Sequence, residues 1–242
     1  VVCGTALVAG GSAAFNQIAE RRVDALMERT KHRPVAEGRL TVREALIFAT
    51  VTSAAGLAWL ALAANLLAAA VAATTLATYV LLYTPLKPRT SFSTVIGAIP
   101  GALPPMIGWA ASTDTLSREA WILFAIVFFW QMPHFLAIAW LFREDYGRAG
   151  FPMLPVVEPD GRSTGYQVAA YASALLPVSL TPSLVGLSGP AYFAVALVLG
   201  LAFLFFSLRF AVRRTRRDAR ALFLSSIAYL PLVWVAMIAD RL

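Results

Sequence analysis

The sequence predicts an all-α, polytopic membrane protein. Three observations carry that expectation. Hydrophobic residues make up 59% of the 242, charged residues only 14%, and the mean hydropathy is +0.71. A soluble domain carries about 25% charged residues. The apolar residues also come in long runs rather than in alternation, which selects helices over a barrel. Finally, the basic residues segregate to alternate loops, as they do in helical membrane proteins.

Eight apolar runs are long enough to cross a hydrocarbon core of ~30 Å at ~1.5 Å per residue. They cover residues 1–19, 44–64, 66–86, 93–112, 119–141, 166–187, 190–211 and 221–239. Asn65 marks a short turn between the second and third runs, and Ser188-Gly189-Pro190 marks one between the sixth and seventh. Eighteen of the twenty Lys and Arg residues fall in segments 20–43, 84–92, 142–165 and 209–220. Only Arg118 and Arg241 fall on the other side. This asymmetry predicts that the basic side is cytoplasmic. It also accounts for the net charge of +7 and pI near 10.1 without nucleic acid as a partner. Cys3, alone in the chain, excludes an internal disulfide and is expected to pack within its helix. No signal peptide, internal repeat or low-complexity linker stands out, so one domain over residues 1–242 is expected.

The conspicuous polar residues lie on the basic side. Asn16, Glu20 and Asp24 sit at i, i+4 and i+8, a spacing that drifts about 40° per step and so lines one helix face. Stacked oxygen ligands suit Mg²⁺, which takes one or two carboxylates and completes its shell with water and phosphates. Arg21, Arg22, Arg29, Lys31 and Arg33 are cations for an anionic substrate. The bland alternative is a solvated helix whose acids pair with bases at i+4. Tyr83, Lys87 and Arg89 of YTPLKPRT (83–90) offer further phosphate contacts, or else a headgroup anchor. Segment 143–155 brings a second carboxylate pair, Glu144 and Asp145, to the same side; two acidic segments suit metal ions on a diphosphate. His134, in WQMPHF (130–135), lies about 10 Å inside an apolar run. It is placed to ligate haem iron, to polarise a substrate or to bond a neighbouring helix. Three prolines and two glycines in 100–109 predict a broken span, lining a cavity or simply kinked.

Taken in order, NQIAERRVDALMERTKHRP, YTPLKPRT, GALPPMIGW, WQMPHF, DYGRAGFPML and the closing ARALFLSSIAYL (219–230) resemble the protoheme IX farnesyltransferases. These form a branch of the UbiA group of intramembrane prenyltransferases, and the resemblance spans nearly the whole chain. It implies a ring of nine transmembrane helices around a central cavity open to the cytoplasm. With eight runs here, the first helix is expected to be missing from this chain, which begins without Met inside an apolar run. It further implies transfer of farnesyl from farnesyl diphosphate to the vinyl group of haem B, which is a substrate rather than a cofactor. Mg²⁺ would be held by Asn16, Glu20, Asp24 and Asp145. The diphosphate would be bound by Arg29, Arg33, Tyr83, Lys87 and Arg89, and haem by His134. The resemblance also implies a bacterial-type inner membrane, with haem A synthase as a downstream partner. Two features depart from the wider group. Glu20 stands where Asp is usual, and Asp145 is followed at i+4 by Ala149 rather than by a second Asp. The alternatives are a prenyltransferase for an aromatic quinone precursor and a small transporter. The latter predicts inverted repeats, and none is seen.

Overall fold

A computed structural model describes residues 1–241. The chain is all-helical and divides into two compact units, residues 1–116 with 144–153, and residues 117–143 with 154–242.

The first unit begins with α1 (Val2–Asp24), followed by α2 (Val42–Ala63). Thr41 starts α2 with a reciprocal cap: its hydroxyl accepts from the Glu44 N–H, and Glu44 accepts from the Thr41 N–H at 2.8 Å. The two helices run antiparallel and approach closely through small residues. A Cβ on Gly56 would stand 2.7 Å from the Gly4 carbonyl oxygen and 2.8 Å from Val8 Cγ2. Without a hydrophobic drive between helices in lipid, such close backbone packing supplies much of the association. Gly56→Ala is therefore expected to destabilise by about 1–3 kcal/mol. Gly10→Ala, with open space at its Cβ, should stabilise slightly. Thermal unfolding in detergent checks both.

Asn65 caps α3 (Leu66–Ala77) by accepting from the Ala68 N–H, and it donates to the Ala110 carbonyl at 2.7 Å. α3 continues through a π-helical turn, Thr78–Tyr83, into the short α4 (Thr84–Leu86). In a regular α-helix the Pro85 ring would clash with the carbonyl four residues back, and the wider turn relieves this. The expected broken span is two helices, α5 (Ser93–Ala102) and α6 (Pro104–Thr113), parted at Leu103. Pro104 and Pro105 have no N–H to offer the carbonyls of Pro100 and Gly101, so the α-helical ladder stops there.

The second unit is built from α7 (Arg118–Leu141), α10 (Arg162–Leu184), α11 (Pro190–Arg213) and α12 (Arg216–Ala239). α7 packs on α10 and α12, and α11 packs on α10 and α12. Ile126, Leu136, Trp140, Tyr192, Phe203, Phe210 and Tyr229 form its core. Of the two short helices that precede α10 in the chain, α8 (Arg143–Arg148) falls mostly in the first unit and α9 (Leu154–Val157) in the second. In α10, Pro182 leaves the Val178 carbonyl without its usual donor, and the Thr181 hydroxyl takes that place at 2.7 Å.

Among the described residues six helices are long and apolar enough to cross a membrane: Val42–Ala63, Leu66–Leu86, Ser93–Thr113, Arg118–Leu141, Pro190–Arg213 and Arg216–Ala239. The other two apolar runs fall on α1 and α10, each 23 residues long. Polar residues dilute both helices. Cys3, expected to pack, is instead exposed on α1. It lies off the face that holds Gly4, Val8 and Gly11 against α2.

Candidate functional site

The polar site of the first unit grows from the end of α1. The buried residues of that helix recur at Gly4, Val8, Gly11, Ser12, Asn16, Glu20 and Asp24. One face thus changes from small and apolar to polar without leaving the interior. Asn16 and Glu20 are almost wholly buried, and Asp24 has no exposed surface. After Asp24 the chain leaves the helix in a series of tight turns, and the Thr30 hydroxyl caps it by donating to the Asp24 carbonyl at 3.0 Å.

Partners for these three residues come from elsewhere in the unit. Arg33 Nη1 donates to both carboxylate oxygens of Asp24, at 3.0 and 2.9 Å. Lys87 Nζ donates to Glu20 Oε2 at 2.8 Å. Asn16 Nδ2 donates to Thr84 Oγ1 at 3.4 Å, and that hydroxyl donates to the Tyr79 carbonyl at 2.9 Å. Thr84 and Lys87 are one helical turn apart, so they meet Asn16 and Glu20 as a matched pair. The π-helical turn just before them sets their direction. Glu20 Oε1 is buried with no hydrogen-bond partner. The expected alternative of i+4 pairs within a solvated helix does not describe these acids: their cations are 9 and 67 residues away in sequence.

Residues 144–153 close over the cations. Phe151 lies under Lys87 Nζ at 4.7 Å from its ring centroid, and Tyr83 is 6.0 Å away. Arg29 sits over the Tyr146 ring at 5.8 Å and donates to its hydroxyl at 3.3 Å. Burial raises the Tyr146 pKa above the ordinary tyrosine value, although Arg29 beside it pulls the other way. The phenol therefore stays protonated through the neutral range. Gly150, at φ 72°, turns the chain so that the Phe151 N–H returns to the Tyr146 carbonyl at 2.9 Å.

Asn16, Glu20, Asp24, Arg29, Arg33, Tyr83 and Lys87 are thus brought together. Asp145 lies next to Tyr146 but is engaged by Arg148 one turn on. Arg89 is exposed. Arg21 folds back onto the Ile18 carbonyl, and Lys31 pairs with Glu28 on the surface. Thr84, Tyr146 and Phe151 belong to the arrangement although the sequence did not single them out individually. Their position inside YTPLKPRT and DYGRAGFPML was the available signal.

His134 belongs to the second unit, where α7 meets α12. Its Nδ1 lies 2.7 Å from Ser226 Oγ, and its ring stacks on Trp130, with centroids 5.0 Å apart and planes at 22°. Phe223 is 5.2 Å away, centroid to centroid.

A helical chain with buried acids paired to distant cations at one helix end fits a membrane enzyme that handles a charged group. The sequence profile of the UbiA prenyltransferase family matches residues 1–230, and the chain belongs to that family. Among its relatives, the protoheme IX farnesyltransferase of Solibacter usitatus is 52% identical over 240 residues, covering 99% of this chain and 82% of that protein. That of Koribacter versatilis is 46% identical, covering 98% and 79%. The fold is shared with two solved structures. A digeranylgeranylglyceryl phosphate synthase superimposes with a TM-score of 0.79 at 17% identity, over 97% of this chain and 81% of the other. A UbiA homologue from Aeropyrum pernix K1 does so at 0.74 and 20%, over 98% and 86%.

Proposed function

We propose that this chain transfers the farnesyl group of farnesyl diphosphate to a vinyl group of protoheme IX, the reaction for which its relatives are named. One observation carries this reading. The buried Asn16–Glu20–Asp24 face, with Lys87 and Arg33 set against it, is a site for an anion and its counter-ion, in a chain 52% identical to a protein named for that reaction.

The donors fit Mg²⁺. They are hard oxygens, and Glu20 Oε1 is a buried carboxylate oxygen without a hydrogen bond. Among the described residues no group of three or more His, Cys, Asp or Glu side chains stands ready to hold a metal alone. An ion that draws much of its shell from substrate phosphates and water needs no such group. Asn16, Glu20, Asp24 and Asp145 are its proposed ligands. Bound there, Mg²⁺ would neutralise charge on the departing diphosphate.

The chain's own groups do the rest. Lys87 and Arg33 already lie at the acids' oxygens and are positioned for charge-assisted hydrogen bonds to phosphate. Arg29 and Arg89 add positive charge, and the Tyr83 hydroxyl adds a donor. Ionisation breaks the allylic C1–O bond, and the electron pair leaves with diphosphate. The vinyl π electrons of haem then bond to C1, water adds to the resulting cation, and a proton is lost. The product is a hydroxyfarnesylethyl haem, the substrate expected for a downstream haem A synthase. Stabilisation of the leaving group is strongest where water is excluded, as at Asp24 and Glu20.

In the same reading all eight long helical runs cross the membrane of a bacterial cell, and the basic side with the site faces the cytoplasm. Incubation of the chain with haem B, farnesyl diphosphate and Mg²⁺ should yield a heavier haem by mass spectrometry, and EDTA should abolish it. Label that passes instead into an added phenol, with no heavier haem, would overturn the assignment of the acceptor.

A further inference from the structure

α7 and α12 meet through polar groups within otherwise apolar helices. Trp130 Nε1 donates to the Ser226 carbonyl at 2.8 Å. One turn further along α7, His134 Nδ1 lies 2.7 Å from Ser226 Oγ. Ser226 is fully buried, and its hydroxyl is also 2.6 Å from the carbonyl oxygen of Phe223.

These contacts determine a proton position. A carbonyl oxygen only accepts, and a serine hydroxyl has one hydrogen to give. That hydrogen goes to Phe223, so Ser226 Oγ accepts at its other contact and His134 Nδ1 is the donor. In a neutral imidazole one nitrogen donates while the other keeps its lone pair. The lone pair is therefore on Nε2, and among the described residues no hydrogen bond engages Nε2. Stacking on Trp130 and contact with Phe223 fix the ring plane. A histidine held by its other ring N–H is the usual arrangement of a metal-binding histidine, because the outer bond sets both tautomer and orientation.

We propose that Ser226 is a positioning residue that holds His134 in the Nδ1–H tautomer, so that Nε2 is presented as a ligand for the iron of the haem substrate. The proposal rests on haem being the acceptor, and it concerns how haem is seated rather than how the diphosphate leaves.

The chain has only two histidines, His32 and His134, so nitrogen NMR of the ¹⁵N-histidine-labelled full chain in detergent reads the tautomer directly. His32→Gln assigns the signals. We expect a pyrrole-type Nδ1 and a pyridine-type Nε2 for His134. Ser226→Ala should lose that preference and weaken ferric haem B binding by about 10–100-fold, followed in the Soret band. Ser226→Thr, which keeps the hydroxyl, should retain both. A proton on Nε2 in the unsubstituted chain, or unchanged haem affinity in Ser226→Ala, would overturn the proposal. The mass assay separates the two readings. A heavier haem made by a chain with the wrong tautomer sinks the role of Ser226 alone. Correct tautomer and haem binding without product sinks the farnesyl transfer.

Discussion

Asp24→Asn is expected to lower farnesyl transfer by roughly 10²–10³-fold, the loss that follows removal of one well-placed stabiliser of charge. Asp24 has no exposed surface, and both its oxygens accept from Arg33. Asparagine keeps the volume and one acceptor, but it removes the charge that would hold the metal and orient the guanidinium. The stability cost should be modest, because the Arg33 side chain is 31% exposed and water can take over part of its solvation. Arg33→Met should show the opposite asymmetry. It leaves a fully buried carboxylate without its cation and should destabilise more than Asp24→Asn does. Initial rates by product mass, read beside thermal unfolding, separate the two effects. Near-normal turnover of a folded Asp24→Asn would rule out a metal clamp at the end of α1.

Lys87→Met should be the most destabilising change at the site, by about 3–5 kcal/mol. For a chain of this size that is on the order of 10 °C in unfolding temperature. The Lys87 and Glu20 side chains are 11% and 5% exposed. Removal of the ammonium would strand Glu20, because Oε2 loses its donor and Oε1 has none to begin with. The double variant Glu20→Met, Lys87→Met should recover most of the stability, since a buried ion pair can be exchanged for apolar volume at little net cost. It should not recover activity, because both the proposed ligand and the phosphate donor are gone. Stability recovered together with activity would show the pair to be structural only. Unchanged unfolding of Lys87→Met would show that the pair is not buried as described.

Much of the polar site was legible in the chain before any coordinates. The i, i+4, i+8 spacing of Asn16, Glu20 and Asp24 needs only helix geometry to place them on one face, and α1 carries all three there. The break in segment 100–109 follows from proline chemistry and is found at Leu103. The Asn65 turn follows from side-chain capping. The outward orientation of Cys3 was not legible, because a glycine-rich helix buries whichever face lets backbones approach closest, and composition does not name that face.

Local rules of this kind act between near neighbours along a helix, and within that reach the sequence by itself determined the helical class, the extent of the apolar runs and the shared face of Asn16, Glu20 and Asp24. Tertiary structure decided which cation each acid meets. Glu20 lies 67 residues from Lys87, and only the packing of α1 beside the π-helical turn and α4 joins them. It likewise decided that Tyr146 and Phe151, rather than Asp145, touch Arg29 and Lys87, and that Ser226 Oγ lies against His134 Nδ1. The physical reason is the same in each case. A hydrogen bond or ion pair in a dry interior depends on positions matched to a few tenths of an ångström, and such a match between distant segments exists only once the helices have packed.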